Sequence, residues 1–542
     1  MKDKREDRGE RYWRVSLKRA ARETRGRIWF WGVALIVGIV SGYAAIGFRL
    51  AIEKLQTLVY GAGPDAIHTL AAGLNPFIVF IIPVCGGLAV GLILWRFTPD
   101  AKALSVSDVI SAGTLRDARV NRKAGLASAA ASLITLSTGG STGREGPVVH
   151  LSAVIAGWVD DKINIHGVAA RDILGCAVAA AVSASFNAPI AGALFALEVV
   201  LRHYALHSFG PIVLASVAGA VISRIHLGDF TEFSLPPSSL QFFEEIPAFM
   251  ILGLVAGIVA VILMRALFFA EDMADALQKR AGTPVWLRPT VAGTILGLIA
   301  IWFPHIIGVG YETTTEALTG NLTLTGAILF AVVKGAAVCV TYAGRMGGGV
   351  FSPALMMGAF TGLAFGHIAV AVFPDVSGSE GLYALAGTGA VAAAVLGAPI
   401  STTLIVFELT GDYQAAIAVM ISVSLATVLS HRFVWKSFFL SQLMRAGVRL
   451  AHGAGAYLPA TIRVRDFMEM TDKPVPLPEG ASSLGLDSSL TDALRRFDQE
   501  EALRLPVVDY SNPPLVVAEA SHIAALKTFN KALIDSQRER EG

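Results

Sequence analysis

The sequence predicts an all-α polytopic membrane protein made of two repeats with short, broken helices. Three observations carry that expectation. Hydrophobic residues make up 54% of the chain against 16% charged, with a mean hydropathy of +0.59, the composition of a chain mostly dissolved in lipid. Two glycine-rich breaks, Gly140-Ser141-Thr142-Gly143-Arg144-Glu145-Gly146-Pro147 and Gly347-Gly348-Gly349-Val350-Phe351-Ser352-Pro353, each end in a proline that opens an apolar run. An internal repeat connects the regions around them.

Taken in order, residues 1 to 28 hold eleven Lys/Arg against five Asp/Glu. This predicts a basic cytosolic amphipathic helix over 1–27 and, by the positive-inside rule, a cytoplasmic N-terminus. The basic stretch is read as a solvated face that sets topology rather than as a specific lipid site. A long apolar run begins near Ile28 without a small-residue cleavage site after it, which argues against a signal peptide. Further apolar segments are expected near 76–97, 124–136, 146–158, 172–184, 189–202, 210–225, 247–270 and 288–308, then near 323–343, 353–373, 383–396, 399–410 and 414–430. Several hold about fifteen residues or fewer, where a straight span needs about twenty. Helices that stop inside a membrane must bury their ends in protein. The basic loop of Arg116, Arg119, Arg122 and Lys123 follows two full-length segments and so returns to the cytoplasmic side.

The repeat is read from Leu174–Pro189, which echoes Leu385–Pro399. Beyond the prolines, Ala188-Pro189-Ile190 with Glu198 matches Ala398-Pro399-Ile400 with Glu408 at a constant offset of 210, while Pro147 and Pro353 lie 206 apart. The repeats run over about 28–225 and 247–440, and an inverted arrangement suits a site at the midplane. The cysteines Cys85, Cys176 and Cys339 sit in apolar sequence without C-x-x-C spacing or a nearby His cluster. They read as small core hydrophobes, with neither a disulfide framework nor a metal site.

Glycines in both breaks let the backbone present bare N–H groups. Pro147 and Pro353 suit the first turn of a helix, so each break feeds a helix N-terminus with its partial positive charge. The ligand implied is an anion. Glu145 at such a site repels a permeant anion unless it competes for the position or takes up a proton, which makes it a candidate gate. Its alternative is a structural ion pair with Arg144.

The Gly-Arg-Glu-Gly-Pro run at 143–147, Gly-Val-Phe-Ser-Pro at 349–353, the Asn-Ala-Pro-Ile-Ala-Gly-Ala-Leu-Phe-Ala-Leu-Glu run from Asn187 and the doubled architecture resemble the CLC family of chloride channels and chloride/proton exchangers. The likeness covers about residues 28–450. It implies about seventeen or eighteen membrane helices and a homodimer with one anion pore per subunit, built from helix N-termini meeting near the midplane. On that resemblance Glu145 is the gating glutamate. The backbone amides of Arg144, Glu145 and Gly146 line the outer anion site and those of Val350 and Phe351 the central one.

The chain departs from the family pattern at three places. Where the family usually shows Gly-Ser-Gly-Ile-Pro, ungapped alignment gives Ala103-Leu104-Ser105-Val106-Ser107, so Leu104 replaces the anion-touching serine and cannot donate a hydrogen bond. A one-residue shift in register would make Ser105 or Ser107 the donor instead. The family's pore tyrosine aligns with Phe439, which lacks the hydroxyl. The glutamate that exchangers commonly carry at the inner end of the proton route corresponds to Val199, which cannot accept a proton, while the adjacent Glu198 is read as structural. The expected function is a passive, Glu145-gated anion channel, with chloride as the family default. A proton-coupled exchanger using water or another acid is the alternative.

After about residue 460 the hydrophobic character drops, and Pro474, Pro476 and Pro478 precede a soluble helix and strand pattern. The segment from Thr461, with Leu505–Asp509, Leu515–Ala518 and a helix around His522–Leu533, resembles one nucleotide-sensing CBS module. Residues 461–542 are thus expected to form a small cytosolic α/β region, truncated and serving dimer contact rather than binding an adenosine nucleotide. The expected location is a bacterial inner (plasma) membrane with both termini in the cytoplasm. No cofactor, metal or nucleic acid is expected. Gly139-Gly140-Ser141-Thr142-Gly143, with His150 nearby, also matches the G-x-S-x-G of a serine hydrolase, but that motif needs a strand, a sharp turn and a soluble sheet, and no acid partner is evident. An enzyme is not expected.

Overall fold

The computed structural model describes residues 3–541 apart from 62, 64–65, 116–119, 164–167, 205, 229–243, 449–457, 479–480 and 510–513. Arg116 and Arg119 of the basic loop therefore lie outside the described residues.

One continuous helix, α1 (Asp3–Tyr60), joins the basic N-terminal stretch to the first apolar run, so the expected boundary after residue 27 is not a break in the backbone. The first half continues through α2 (Ile67–Ala72), α3 (Pro76–Phe97), α4 (Val106–Leu115) and α5 (Arg122–Ser137). After the first glycine-rich break come α6 (Glu145–Ile163), α7 (Val168–Phe186), α8 (Pro189–Phe195) with a π-helical extension over Ala196–Leu201, and α9 (Leu206–Leu227). The second half holds α10 (Ile246–Ala281), α11 (Arg288–Trp302), α12 (Tyr311–Leu318) and α13 (Leu324–Ala343). Following the second break are α14 (Phe351–Val372), α15 (Glu380–Leu396), α16 (Pro399–Thr410), α17 (Tyr413–Phe433) and the short α18 (Phe438–Arg445).

Among the described residues, nine helical spans are long and apolar enough to cross a membrane. The segment Pro189–Leu201, α15 and α16 are apolar but shorter. The chain is an integral multi-pass membrane protein. Local sequence explains where the helices begin: proline opens α3, α8, α11 and α16, where its missing N–H is no loss. Asn75, Asn121, Ser379 and Asp412 cap α3, α5, α15 and α17 through their side chains. Among the elements absent from the sequence reading, α2, α12 and α18 span only 6, 8 and 8 residues. The Tyr-Glu-Thr-Thr-Thr-Glu sequence that starts α12 carries no apolar run.

The repeat is visible in the backbone. Asn187 (φ 55°) after α7 and Gly397 (φ 68°) after α15 take the same left-handed conformation 210 residues apart. Each repeat then caps the other. Glu408 accepts hydrogen bonds from Ile190 N (2.9 Å) and Ala191 N (2.7 Å) at the start of α8. Its equivalent, Glu198, accepts from Ile400 N (3.1 Å), Ser401 N (2.8 Å) and Ser401 Oγ (2.5 Å) at the start of α16. Such reciprocity is the mark of a two-fold relation, and a carboxylate satisfies the orphan N–H groups and the positive end of each helix at once. The structural reading of Glu198 follows from these bonds.

Of the three free cysteines, Cys176 is buried and Cys339 half-buried, but Cys85 is exposed on α3. The core reading of Cys85 is therefore corrected. It belongs to the outward face of a membrane-spanning helix, where a small thiol costs nothing against lipid.

Beyond α18, α19 (Leu458–Thr461) precedes β1 (Met468–Pro476), β2 (Leu484–Gly485), α20 (Leu490–Gln499), β3 (Arg504–Val508), β4 (Leu515–Ser521) and α21 (His522–Glu541). The sheet order is β1-β4-β3-β2, with β2 and β3 parallel across α20 and the other pairs antiparallel. This region has its own core, including Val464, Leu484, Leu490, Phe497 and Val507.

Replacing Glu408 by Ala leaves two helix N–H groups without their carboxylate, a loss on the order of 1–3 kcal/mol. The expected outcome is a lowered apparent Tm in detergent, with Glu408→Gln losing less because its carbonyl still accepts one bond; a differential scanning fluorescence series over both variants checks it.

Candidate anion pathway

The two glycine-rich breaks meet. Gly143 N donates to Gly349 O at 2.7 Å and Gly349 N to Gly143 O at 2.8 Å, an antiparallel bridge. These glycines are 206 residues apart, the same offset as Pro147 and Pro353, so each residue pairs with its own repeat equivalent. A two-fold axis passing between them produces that pairing and runs the equivalent segments in opposite directions. The contact requires glycine. A β-carbon on Gly349 would lie 2.9 Å from Gly146 N, and one on Gly348 (φ 146°) would lie 2.0 Å from Thr142 Oγ1. Thr142 Oγ1 in turn donates to Gly349 O at 3.0 Å.

The bridge sets the N-termini of α6 and α14 side by side, their first N–H groups lacking intrahelical acceptors. Glu145 is the first residue of α6 and is 3% exposed. Its Oε1 accepts from Ser352 Oγ at 2.6 Å and from the Tyr311 hydroxyl at 3.5 Å. Arg144 Nε stands 4.0 Å from the same oxygen, at the outer limit of an ion pair. Its guanidinium lies over the Tyr311 ring, 4.8 Å from the centroid, and donates to Ser185 O at 3.4 Å. The shorter, charge-assisted bond comes from Ser352, so the carboxylate is held by the opposite repeat as well as by its neighbour in sequence.

One small cavity is lined by this carboxylate and a second by its neighbours Arg144 and Tyr311. The first is lined by Glu145, Gly146, Val106, Val149, Val182, Phe195, Gly349, Val350, Phe351 and Phe439. It offers about 10 Å³ to the centre of a water-sized sphere, room for roughly one water. The second, of similar size, is walled by Arg144, Tyr311 and Gly310 together with Arg49, Glu53, Gln56 and Ile67. A third, wider cavity of about 350 Å³ contains Val199, Glu198, Arg202, Tyr204, His431 and Lys436 among its walls.

Among the residues singled out in the sequence, the first cavity gathers Glu145, Gly146, Val350, Phe351 and Phe439, while Arg144 belongs to the second and Val199 to the third. Leu104 is not on the wall of the first cavity. Val106, the first residue of α4, takes that place, and Leu104 N instead donates to Ser128 Oγ at 3.0 Å. The substitute donors Ser105 and Ser107 face one another, Oγ to Oγ 2.8 Å, and Ser105 Oγ also donates to Gln442 Oε1 at 3.2 Å. Both hydroxyls are thus committed to each other and to α18. Sequence reasoning missed Ser352 and Tyr311. Ser352 stood inside the second motif, next to the residues named for their amides, but Tyr311 lies 166 positions from Glu145 with no motif to mark it.

Ser141 sits in the first break rather than on a strand, and both ring nitrogens of His150 lack a hydrogen-bond partner, so these two residues do not form a dyad.

The profile of the family described as "Voltage gated chloride channel" matches residues 86–431. The chain belongs to that family. A Ralstonia nicotianae protein named as a ClcB-like chloride channel is 29% identical over 418 residues, 76% of this chain and 96% of its own. The voltage-gated ClC-type chloride channel ClcB of Escherichia coli O157:H7 is 28% identical over 401 residues, 73% and 94% of the two chains. Among solved structures, a slow cyanobacterial Cl−/H+ antiporter superposes with a TM-score of 0.67 at 20% identity, covering 77% of this chain and 97% of its own. A eukaryotic CLC transporter gives 0.66, also at 20%, covering 93% and 88%. At that identity the solved structures establish the shared CLC fold.

Gly349→Ala is expected to force the two breaks apart, because its β-carbon meets backbone rather than a movable side chain. Loss of the monodisperse peak on size exclusion, with Val350→Ala behaving as wild type, would bear this out.

Proposed function

We propose that this chain is a passive channel for chloride or a similar monovalent anion, gated by the carboxylate of Glu145. The observation that carries the reading is the position of that carboxylate. It lies at the junction of two helix N-termini, on the wall of one small cavity, while its neighbours Arg144 and Tyr311 line a second, and a permeating anion would have to replace it. Backbone N–H groups at the starts of α6 and α14 would hold the anion, those of Arg144, Glu145 and Gly146 on the outer side and those of Val350 and Phe351 at the centre. Phe439 and Val106 add apolar wall without donating. The curated relatives are themselves named as chloride channels.

Passive conduction is favoured over exchange by the inner cavity. Val199 is on its wall where an exchanger of the family commonly carries a proton-accepting glutamate. The neighbouring Glu198 does not substitute, since both its oxygens are occupied in capping α16. Arg202 and Lys436 put two cationic side chains on this wall, which also holds the capping Glu198 carboxylate.

The reading includes a homodimer in a bacterial inner membrane with cytoplasmic termini. Ile190 and Ile400 are 54% and 48% exposed at the starts of α8 and α16. These two short helices begin with polar backbone and capping carboxylates that lipid cannot solvate, so a second copy is the cover that satisfies them. In the tail, the β2-α20-β3-β4-α21 unit is assigned as a single CBS-like module serving contact between subunits rather than nucleotide binding.

The deciding experiment uses liposomes with a chloride gradient, the potential clamped by valinomycin and potassium, and external pH recorded. Chloride efflux without proton movement is expected; chloride-driven proton movement against its own gradient, lost in Glu145→Gln, would replace this reading by exchange. Acidification is expected to raise flux by neutralising the competing carboxylate, and Glu145→Gln to flatten that pH dependence. Ser352→Ala removes a charge-assisted bond worth on the order of 1.5–3 kcal/mol, so the carboxylate's occupancy of the pathway should fall by roughly ten- to a hundredfold, read as faster chloride efflux at neutral pH.

A further inference from the structure

A cluster of ligand-type side chains that the pathway does not use lies beside the second cavity, the one walled by Arg144, Tyr311 and Ile67. His68 on α2 and Glu312 and Glu316 on α12 each offer one ligand atom, and the three atoms lie within 4.8 Å of one another. All three residues are half-buried, reachable from water but held by protein. The Glu312 carboxylate is already oriented: its Oε2 accepts from His68 N at 2.6 Å, and its Oε1 accepts from Thr69 N at 3.2 Å and from the Thr69 hydroxyl. Nδ1 of His68 is buried without a hydrogen-bond partner.

A second imidazole stands next to it. His305 is 1% exposed, its ring is edge-on to that of His68 with centroids 6.3 Å apart, and its Nδ1 is also without a partner. Its other nitrogen is 3.4 Å from Phe330 O, and its face stacks on the Phe330 ring. The unpaired, buried Nδ1 of His68 and the two carboxylates grouped with it are expensive to leave so. They form a donor set with a known preference. Mixed imidazole and carboxylate ligands suit zinc-class divalent ions, whereas calcium and magnesium take oxygen alone. The nearby buried cation is Lys334, whose Nζ donates to the carbonyls of Ile306 (3.1 Å) and Gly308 (3.0 Å).

The cluster connects to the gate through one residue on each side. Glu312 follows Tyr311, whose hydroxyl reaches Glu145 and whose ring carries Arg144. Ile67, which precedes His68, shares the wall of the second cavity with Tyr311. An ion shared by α2 and α12 would tie these two walls together. We propose that His68, Glu312 and Glu316 form a binding site for a zinc-class divalent cation, and that its occupancy fixes Tyr311 against Glu145 and slows anion flux. The binding site stands on its own; only the effect on flux rests on the gate reading above.

The test is isothermal titration of zinc chloride into the full-length, EDTA-washed protein in detergent, alongside zinc added to the flux assay. Wild type is expected to bind zinc saturably and magnesium not at all, with affinity falling at least about tenfold in both His68→Ala and Glu316→Gln. Neither substitution touches Glu312, which caps α2, so each should leave the fold intact. Absence of saturable zinc binding in wild type, or binding unchanged in both variants, would overturn the site. Zinc is expected to slow chloride efflux in wild type and not in either variant. If calorimetry shows the variant-sensitive site while flux ignores zinc, the link through Tyr311 is wrong. If wild type carries no chloride flux at all, the channel reading fails and calorimetry still decides the site.

Discussion

Two backbone hydrogen bonds, between Gly143 and Gly349, are what the rest of the structure depends on. A helix interrupted at membrane depth exposes N–H and C=O groups that lipid cannot solvate. Neither break can satisfy itself, and each satisfies the other. The pairing demands glycine on both sides, because a β-carbon at Gly146 or Gly349 would press on the opposite backbone at about the distance of the contact itself. Once made, it fixes the separation of two helix N-termini, and with it the place where, on the proposed reading, an anion would meet converging N–H dipoles. Fold and binding site are therefore one constraint.

The two-fold relation supplies a symmetric frame that the sequence then fills asymmetrically. Glu198 and Glu408 keep the symmetry, each capping the other repeat's short helix. At the bridge the contents diverge. The 206-residue offset sets Phe351 opposite Glu145 and Ser352 opposite Gly146. One repeat thus contributes a titratable carboxylate, and the other an apolar wall and the hydroxyl that holds that carboxylate at 2.6 Å. The frame presents two like helix N-termini, and on the proposed reading the unlike residues make one of them a gate and the other its latch.

Much of this was legible because it is local. Prolines at the first turns, glycine-rich breaks and apolar runs located most of the long helices to within a few residues, and the offset of 210 exposed the paired glutamates before any contact was known. What escaped was short or non-local. The helix α2 is only six residues long and α12, half-buried or buried throughout, carries no apolar run, so hydropathy passes over them. Tyr311 and the His68 cluster depend on contacts spanning 166 and 244 positions, which no spacing rule reaches. Leu104 marks the limit of alignment by motif: it stands where the family's serine would, yet the helix that follows turns Val106 to the cavity and leaves Leu104 beside Ser128. Position in a sequence pattern fixes which turn of chain is near a site, but not which side chain faces it.

The walls of the central cavity bear on how an anion would be chosen. Val106, Val149, Val182, Phe195, Phe351 and Phe439 supply hydrocarbon, and Glu145 supplies the one ionisable side chain on that wall. No hydroxyl lines it, since Ser352 is spent on the carboxylate and Ser105 and Ser107 on one another. An anion there would exchange its water shell for amide N–H groups alone, with dispersion from aromatic edges around it. Such a site recovers little of the hydration energy of a small, strongly hydrated ion and proportionally more for a larger, polarizable one. On the proposed reading it would discriminate by what dehydration costs rather than by side-chain donors, and the strongest competitor for its N–H groups would be the carboxylate of Glu145.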